Sequence, residues 1–401
     1  MERDQTRFQD LSRLGKLCIF SELFFGLCVG AWTIALNFHL SACGMSESQI
    51  GILLCLGYLV TAVTSFFVGR VGDKKGYPFV MASGMLLMGS ALLLIACVRW
   101  LPLFYLGHGI YCAGLACAMS MEYNLPLSLV REDQRQYGYN LVLVFYFLGS
   151  IIGNGLCSVC LPLFQDQEDP YRYILMICTA VYWMLALLRG SMPRQVRAEE
   201  KEQRAGKEVF LELLGSRKIQ CYLIYGCLTF GLLSFATGML NLVLRLWHHM
   251  SDSVIGAIFS LNSVVGCLVL MLLPMLVCRV SLHRISSVAL TLQCLSLAAM
   301  AFVPGIPFAG MVFLRTCTCN VLYTSVDSPM LQSVSPRRRG TYSGMRVFAN
   351  YIGMSIASIA SGLLVDLGNF RLLYLMCAGV ALVQMLVYQL LCRPFLLRTA
   401  D

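Results

Sequence analysis

Long apolar runs alternate with short polar segments along almost the whole chain. An apolar helix of about twenty residues is long enough to cross the hydrocarbon core of a lipid bilayer. We therefore predict an all-α membrane protein with twelve transmembrane helices. The twelve runs cover residues 17–39, 50–69, 78–98, 101–125, 141–163, 172–189, 219–244, 253–277, 285–303, 307–331, 342–365 and 372–392.

Basic residues are unevenly distributed among the segments between these runs. With the amino terminus inside, the inner segments and the adjoining ends of the runs hold 25 of the 30 lysines and arginines. Arg315 lies within a run, and the outer loops hold Arg99, Arg172, Arg245 and Arg371. Because lysine and arginine concentrate in cytoplasmic loops, we predict that both termini are cytoplasmic.

The composition also indicates a membrane protein. Hydrophobic residues make up 58% of the chain and charged residues 13%, whereas soluble proteins average about 45–50% and about 25%. The net charge of +9 does not indicate nucleic-acid binding, because the bases flank apolar runs instead of forming a patch with aromatic residues. Nearly all of the 19 cysteines lie within apolar runs, so we interpret them as packing residues.

No soluble catalytic module is visible in the sequence. It lacks a phosphate-binding loop of the G-x-x-x-x-G-K-[ST] type, which argues against direct coupling to ATP. No segment between the runs is long enough to form an enzyme domain. We therefore expect neither enzymatic activity nor a cofactor nor a metal site.

The runs fall into two sets of six. We place an amino-terminal six-helix bundle at 1–189, a cytoplasmic linker at 190–218 and a carboxy-terminal bundle at 219–401. The stretch that begins at Arg189 carries eight basic and five acidic residues and no long apolar run. We interpret it as a charged, partly helical connector, with a regulatory role as the alternative.

One short segment between the second and third runs is unusually polar. It reads GRVGDKKGYP, at 69–78, with three glycines, one acid and three bases. Glycines permit a tight turn and the close approach of two helices, so we predict a polar turn at the inner surface. Asp73 requires a donor there, which is either a helix amino terminus or an arginine such as Arg131, Arg135 or Arg346.

Twelve spans in two sets, inner termini and this polar turn together resemble the major facilitator superfamily. The signature of that superfamily after the second span is G-x-L-a-D-[RK]-x-G-R-[RK]. The positions that match it are Gly69, Val71, Asp73, Lys74 and Gly76, whereas Tyr77 and Pro78 depart from it. The resemblance implies two pseudo-symmetric bundles and an inner gate formed by Gly69, Asp73, Lys74 and Gly76 with Arg131 and Arg346.

Charged residues inside the predicted spans require an explanation, because each costs roughly 2.5–3.5 kcal/mol at the centre of a helix. The resemblance implies that spans 1, 4, 7 and 10 line a central cavity. Three acids in these spans, Glu22, Glu122 and Asp327, are candidates for proton coupling. Alternatively, they pair with arginines at the inner face or lie at the membrane interface.

Other polar residues of the same spans are candidates for contact with a solute. They are Asn37, His108, Tyr111, Asn241, Arg315, Asn320, Tyr323 and Thr324. Arg315 either binds an anionic group of the solute or neutralises an acid across the cavity, since guanidinium groups suit carboxylates and phosphates. His108 either titrates or packs as a neutral side chain.

The function that follows is secondary active transport of a small organic solute by alternating access. We expect proton coupling and leave sodium coupling, uptake and efflux open. The alternative is a non-transporting membrane sensor on the same fold. We expect a monomer in a lipid bilayer, without nucleic acid, and a bacterial inner membrane because the sequence lacks any Asn-x-Ser/Thr sequon.

Overall fold

A computed structural model of the chain describes residues 11–122, 124–131, 134–160, 169–193, 206–277, 279–335 and 338–397. These residues form α-helices and two π-helical turns, at Tyr323–Asp327 and Tyr388–Cys392, and they contain no β-strand. The helices are α1 (Arg13–Ala42), α2 (Glu47–Lys75), α3 (Tyr77–Cys97), α4 (Leu101–Met121), α5 (Asn124–Ser128), α6 (Arg135–Cys160), α7 (Tyr171–Gly190), α8 (Gly206–Gly215), α9 (Arg217–Thr237), α10 (Leu240–Leu246), α11 (Asp252–Val277), α12 (Leu282–Met300), α13 (Ile306–Leu322), α14 (Ser328–Gln332), α15 (Arg339–Asp366), α16 (Phe370–Val387) and α17 (Arg393–Leu397).

Eleven helical segments of the described part are long and apolar enough to cross a membrane. They confirm a multi-pass membrane protein but number one fewer than the twelve runs predicted. The remaining run, 285–303, corresponds to α12, which has 19 residues. Three of its polar residues are Arg284, Ser286 and Gln293. The exact number of twelve and the cytoplasmic termini stay predictions.

The polar segment between the second and third runs is not a loop. Helix α2 continues through it to Lys75, and α3 begins at Tyr77. Gly76 alone separates the two helices, with a φ of 92° that favours glycine. Pro78 lies in the first turn of α3, where its fixed φ suits a helix start. The prediction of a polar turn was therefore wrong for all but one residue of 69–78.

The chain divides into two compact units. The first comprises the described parts of Met1–Gly44, Val63–Glu199 and Asp252–Ser260. Its helices α1 and α6 pack with their backbones in close contact. A Cβ atom at Gly153 would lie only 2.1 Å from the carbonyl oxygen of Leu27. Only a glycine allows this separation.

The second unit comprises the described parts of Met45–Ala62, Glu200–Ser251 and Leu261–Asp401. Helices α9 and α15 repeat the close packing, since a Cβ atom at Gly353 would lie 2.1 Å from the carbonyl oxygen of Cys227. The first half of α2 also belongs to this unit. The continuous bundles over 1–189 and 219–401 stay a prediction.

Within the predicted linker, Gly206–Gly215 form helix α8, which packs within the second unit. Leu213 of α8 is buried in a cluster that includes Tyr222 and Tyr342. Glu212 pairs with Arg338 at 2.8 Å, with both side chains well exposed. The segment 194–205 lies outside the described residues.

Replacing Gly153 by Ala should destabilise the first unit by about 1–3 kcal/mol, since the added methyl group meets backbone that must move. The matched control is Gly155→Ala in the same helix, where the added Cβ would meet only the Ser260 hydroxyl at 3.6 Å. Thermal unfolding of the purified protein in detergent measures both variants. Equal melting temperatures for the two variants would contradict close backbone packing of α1 on α6.

Candidate functional site

An ion pair is buried inside the first unit. The guanidinium of Arg189 on α7 lies 3.0 Å (Nη2 to Oε1) from the carboxylate of Glu22 on α1, and both side chains are 0% exposed. Removing two charges from water is costly unless they pair closely. This contact therefore fixes the inner end of α7 against α1.

Three further contacts hold Arg189 in place. Its Nε donates to the Ser21 hydroxyl at 3.1 Å, and Nη1 approaches the Met81 sulfur on α3 at 3.2 Å. The guanidinium also lies 5.7 Å from the centre of the Phe25 ring. From the sequence, Arg189 ends the run 172–189 and counts among the bases of the charged stretch that follows, with no partner assigned to it. Its side chain is part of the helical core.

Glu122 adds a second acid to this pair. It lies at the carboxyl end of α4, is buried and interacts electrostatically with Glu22 and Arg189. Two carboxylates therefore lie in the field of one guanidinium, and Glu22 is the one that forms an ion pair with it. If both carboxylates are ionised, the group carries one uncompensated negative charge.

Aromatic rings surround another predicted residue of the first unit. Trp32 stacks on Tyr111 with 3.9 Å between ring centres and on His108 with 5.8 Å. The Tyr111 hydroxyl lies 3.4 Å from that of Tyr182. His108 and Tyr111 thus lie together, and both are buried.

The second unit contains a different ion pair. Arg346 Nη1 on α15 lies 3.8 Å from Asp327 Oδ2, with Asp327 almost fully buried. Asp327 ends the π-helical turn that follows α13. Pro329 has no N–H to donate to the carbonyl of Ser325, four residues earlier. The Ser286 hydroxyl lies 3.5 Å from that carbonyl and 3.0 Å from the Ser325 hydroxyl.

The π-helical turn divides the polar stripe that the sequence predicted on this span. Asp327 faces the interior of the unit, whereas Tyr323 and Thr324 are exposed. The Thr324 hydroxyl donates to the backbone carbonyl of Asn320 at 3.3 Å. π-Helical turns inside α-helices occur frequently at functional sites.

The remaining solute candidates are spread over both units. Asn37 is buried on α1, and Asn241 is buried on α10, where its side chain accepts from the N–H of Leu242 at 3.0 Å. Arg315 is buried on α13. Among the predicted residues of the first unit, the structure brings Glu22 together with Glu122 and His108 together with Tyr111.

The predicted gate residues lie on several helices. Gly69, Asp73 and Lys74 are within α2, and the side chains of the latter two are outside the described part. Arg131 is exposed beyond α5. Arg346 is one of the arginines proposed as donors to Asp73, and within the second unit it pairs with Asp327.

The first unit contains another buried ion pair, which the sequence analysis missed. His39 Nδ1 at the carboxyl end of α1 lies 2.7 Å from Asp169 Oδ2. His39 Nε2 lies 3.0 Å from the carbonyl oxygen of Ile95 and 3.8 Å from the Cys43 sulfur. Both ring nitrogens face acceptors, which suits a charged imidazolium at the negative end of a helix.

The family model of the Major Facilitator Superfamily matches residues 18–314 and 236–396. The chain belongs to the Major Facilitator Superfamily. This superfamily chain is 27% identical over 177 residues to the uncharacterized MFS-type transporter YcaD of Escherichia fergusonii, and the matched region spans 43% of each protein. The family and fold relatives are transporters and not enzymes.

Solved structures share the fold of this superfamily member. A variant of the nucleoside transporter NupG has a TM-score of 0.80 at 18% identity, with 94% of this chain and 99% of that one covered. A variant of the E. coli fucose:proton symporter FucP has a TM-score of 0.62 at 16% identity, with 92% and 96% covered. At these identities the likeness shows the fold alone.

Replacing Glu22 by Gln should destabilise the protein by up to about 3–5 kcal/mol, because it breaks the buried ion pair of Arg189 and leaves the more distant Glu122 carboxylate to balance the charge. Arg189→Gln should have a similar cost, and the double variant should recover part of the loss. Thermal unfolding in detergent measures each variant.

The exposed pair on α8 provides the control. Glu212→Gln removes one partner of a pair whose side chains are 56% and 42% exposed, so its cost should not exceed about 1 kcal/mol. Equal losses for Glu22→Gln and Glu212→Gln would contradict a role of burial in the Arg189 pair.

Proposed function

We propose that this superfamily member is a secondary active transporter that moves a small organic solute by alternating access and couples it to protons through Glu22, Arg189 and Glu122. The observation that carries the proposal is the buried group of two carboxylates and one guanidinium in the first unit. Membership of the superfamily supports transport as the activity.

The charge balance of this group explains why protons are the proposed coupling ion. Glu22 and Arg189 form a neutral pair, so Glu122 supplies the excess negative charge. An uncompensated charge inside a membrane protein is expensive and marks ion pathways and proton relays. Binding one proton at Glu122 removes the charge without moving any other group.

Asp327 has a secondary place in this scheme. It forms a pair with Arg346 whose charges balance, so it needs no proton for neutrality. A proton at Asp327 would instead release Arg346. We therefore assign coupling first to Glu122, then to Glu22 and last to Asp327.

The proteins of similar fold suggest which solutes to test first. The titles of two similar structures name a nucleoside transporter and a fucose:proton symporter. A third names proton-dependent oligopeptide transporters, with a TM-score of 0.73 at 12% identity. These names supply nucleosides, sugars and short peptides for the solute panel of a first assay, to which we add small carboxylates. We further propose a monomer in a bacterial inner membrane with both termini cytoplasmic.

Purified protein in liposomes that enclose a pH-sensitive dye tests the coupling. The wild type should move protons when one solute of the panel is added, and Glu122→Gln should abolish that movement. The amide mimics the protonated acid, so this variant should still exchange labelled solute between the two sides at equal pH. Both quantities are measured on the same vesicles.

Glu212→Gln is the matched control, because it removes an exposed acid of the linker helix and should leave proton movement unchanged. Proton movement that survives in Glu122→Gln but vanishes in Glu22→Gln would assign coupling to Glu22. Proton movement that survives in Glu122→Gln, Glu22→Gln and Asp327→Asn alike would overturn coupling through buried acids.

A further inference from the structure

One buried charge of the second unit has no counterion among the described residues. Arg315 on α13 is 2% exposed, and its Nε and Nη2 atoms have no hydrogen-bond partner there. The acid of the same span, Asp327, pairs with Arg346 instead. Of the two roles predicted for Arg315, neutralising an acid therefore has no support within this unit.

A second unsatisfied group lies near the first. The Tyr374 side chain on α16 is fully buried, and its hydroxyl has no hydrogen-bond partner in the described part of the chain. Its ring packs against α13, because Phe308, seven residues before Arg315, lies 5.3 Å from it between ring centres. Arg315 and Tyr374 are thus two kinds of buried donor on adjoining helices, each with donor atoms that lack an acceptor among the described residues.

The energetic cost of this arrangement indicates an anion. A buried charge without a partner costs several kcal/mol, and an arginine cannot escape the cost by losing its proton in a protein. A carboxylate matches the planar guanidinium with two parallel hydrogen bonds. The Tyr374 hydroxyl can donate a third.

Aromatic rings around Tyr374 supply an apolar wall. Phe308 lies 5.3 Å from it between ring centres and Trp247 lies 6.2 Å away, with Phe370 stacked on Trp247 at 5.5 Å. A cleft of about 380 Å³ shares two of these rings: it is lined by Trp247 and by Gly368, Asn369, Phe370, Arg371 and Leu372. Sites for small organic molecules combine such apolar walls with a few polar groups.

We propose that Arg315 and Tyr374 bind the carboxylate of the transported solute, which is therefore a small organic anion. This inference rests on the proposed transport function and narrows its substrate class. The organic part of the solute packs against the rings of Phe308 and Trp247. The carboxylate supplies the acceptor that both the guanidinium and the hydroxyl lack.

Ligand-free stability gives a test that needs no known substrate. Arg315→Gln should raise the melting temperature of the purified, ligand-free protein, because it removes an unpaired buried charge. Arg189→Gln, which breaks a buried ion pair, should lower the same quantity. A melting temperature lowered equally by both changes would overturn the proposal, since Arg315 would then be paired within the protein.

Binding is measured by thermal shift and by tryptophan fluorescence, with small carboxylates, their uncharged amides and sodium chloride as probes. At least one carboxylate should protect the wild type, whereas its amide should not. Arg315→Gln should weaken the binding of that carboxylate by at least tenfold, in line with a lost charge-assisted hydrogen bond. Arg315→Lys keeps the charge but loses the planar guanidinium, and Tyr374→Phe removes one donor. Both variants should therefore lose less affinity for the carboxylate than Arg315→Gln.

Arg284→Gln is the matched control, because it removes an exposed arginine of the same unit and should leave binding unchanged. Protection by chloride that depends on Arg315, with no carboxylate bound, would overturn the substrate class. If Arg315→Gln transports a neutral solute at the wild-type rate, the proposed substrate class is overturned while the transport function stands. Carboxylate binding that depends on Arg315, without flux of any solute, would support the site and overturn the transport function.

Discussion

The cost of placing a charge among packed helices is the constraint on which the arrangement of this protein depends. Three buried pairs satisfy it directly: Glu22 with Arg189, His39 with Asp169, and Asp327 with Arg346. Each pair joins segments that are distant in sequence, so each also fixes the packing of one unit. A buried carboxylate or guanidinium that does not belong to one of these pairs therefore requires a separate explanation.

Each unit holds one such surplus charge among its described residues. Glu122 is an extra acid beside an ion pair that is already neutral, and Arg315 is a base without an acid. The two differ in what neutralises them. A carboxylate can take up a proton, whereas a guanidinium keeps its charge and requires an anion. This difference is the physical reason for assigning the coupling ion to the first unit and the solute to the second.

Much of the fold was predictable because apolar length is a strong signal. The pattern located the membrane-spanning helices within a few residues, and the glycines at 149, 153 and 353 do lie at close helix contacts. The pattern failed where a single residue decides the backbone. Three glycines predicted a loop, yet α2 tolerates two of them and only Gly76 adopts a left-handed φ. The π-helical turn before Pro329 likewise depends on a carbonyl that Ser286 approaches from another helix.

The candidate site was predictable only in part, because the sequence shows acids but not their partners. Glu22 and Glu122 stand out in apolar spans, whereas Arg189 lies at the edge of a basic stretch and looks like a solvated residue. The two units also differ here although they share the glycine-mediated packing of α1 on α6 and of α9 on α15. In the first unit the acid lies on α1 and its base on α7, whereas in the second the acid follows α13 and its base lies on α15. Helix packing requires the glycines to be in matching places, but a buried pair can join any two helices that meet. The charged groups are therefore free to differ between the halves, which allows one half to take up a proton and the other to hold an anion.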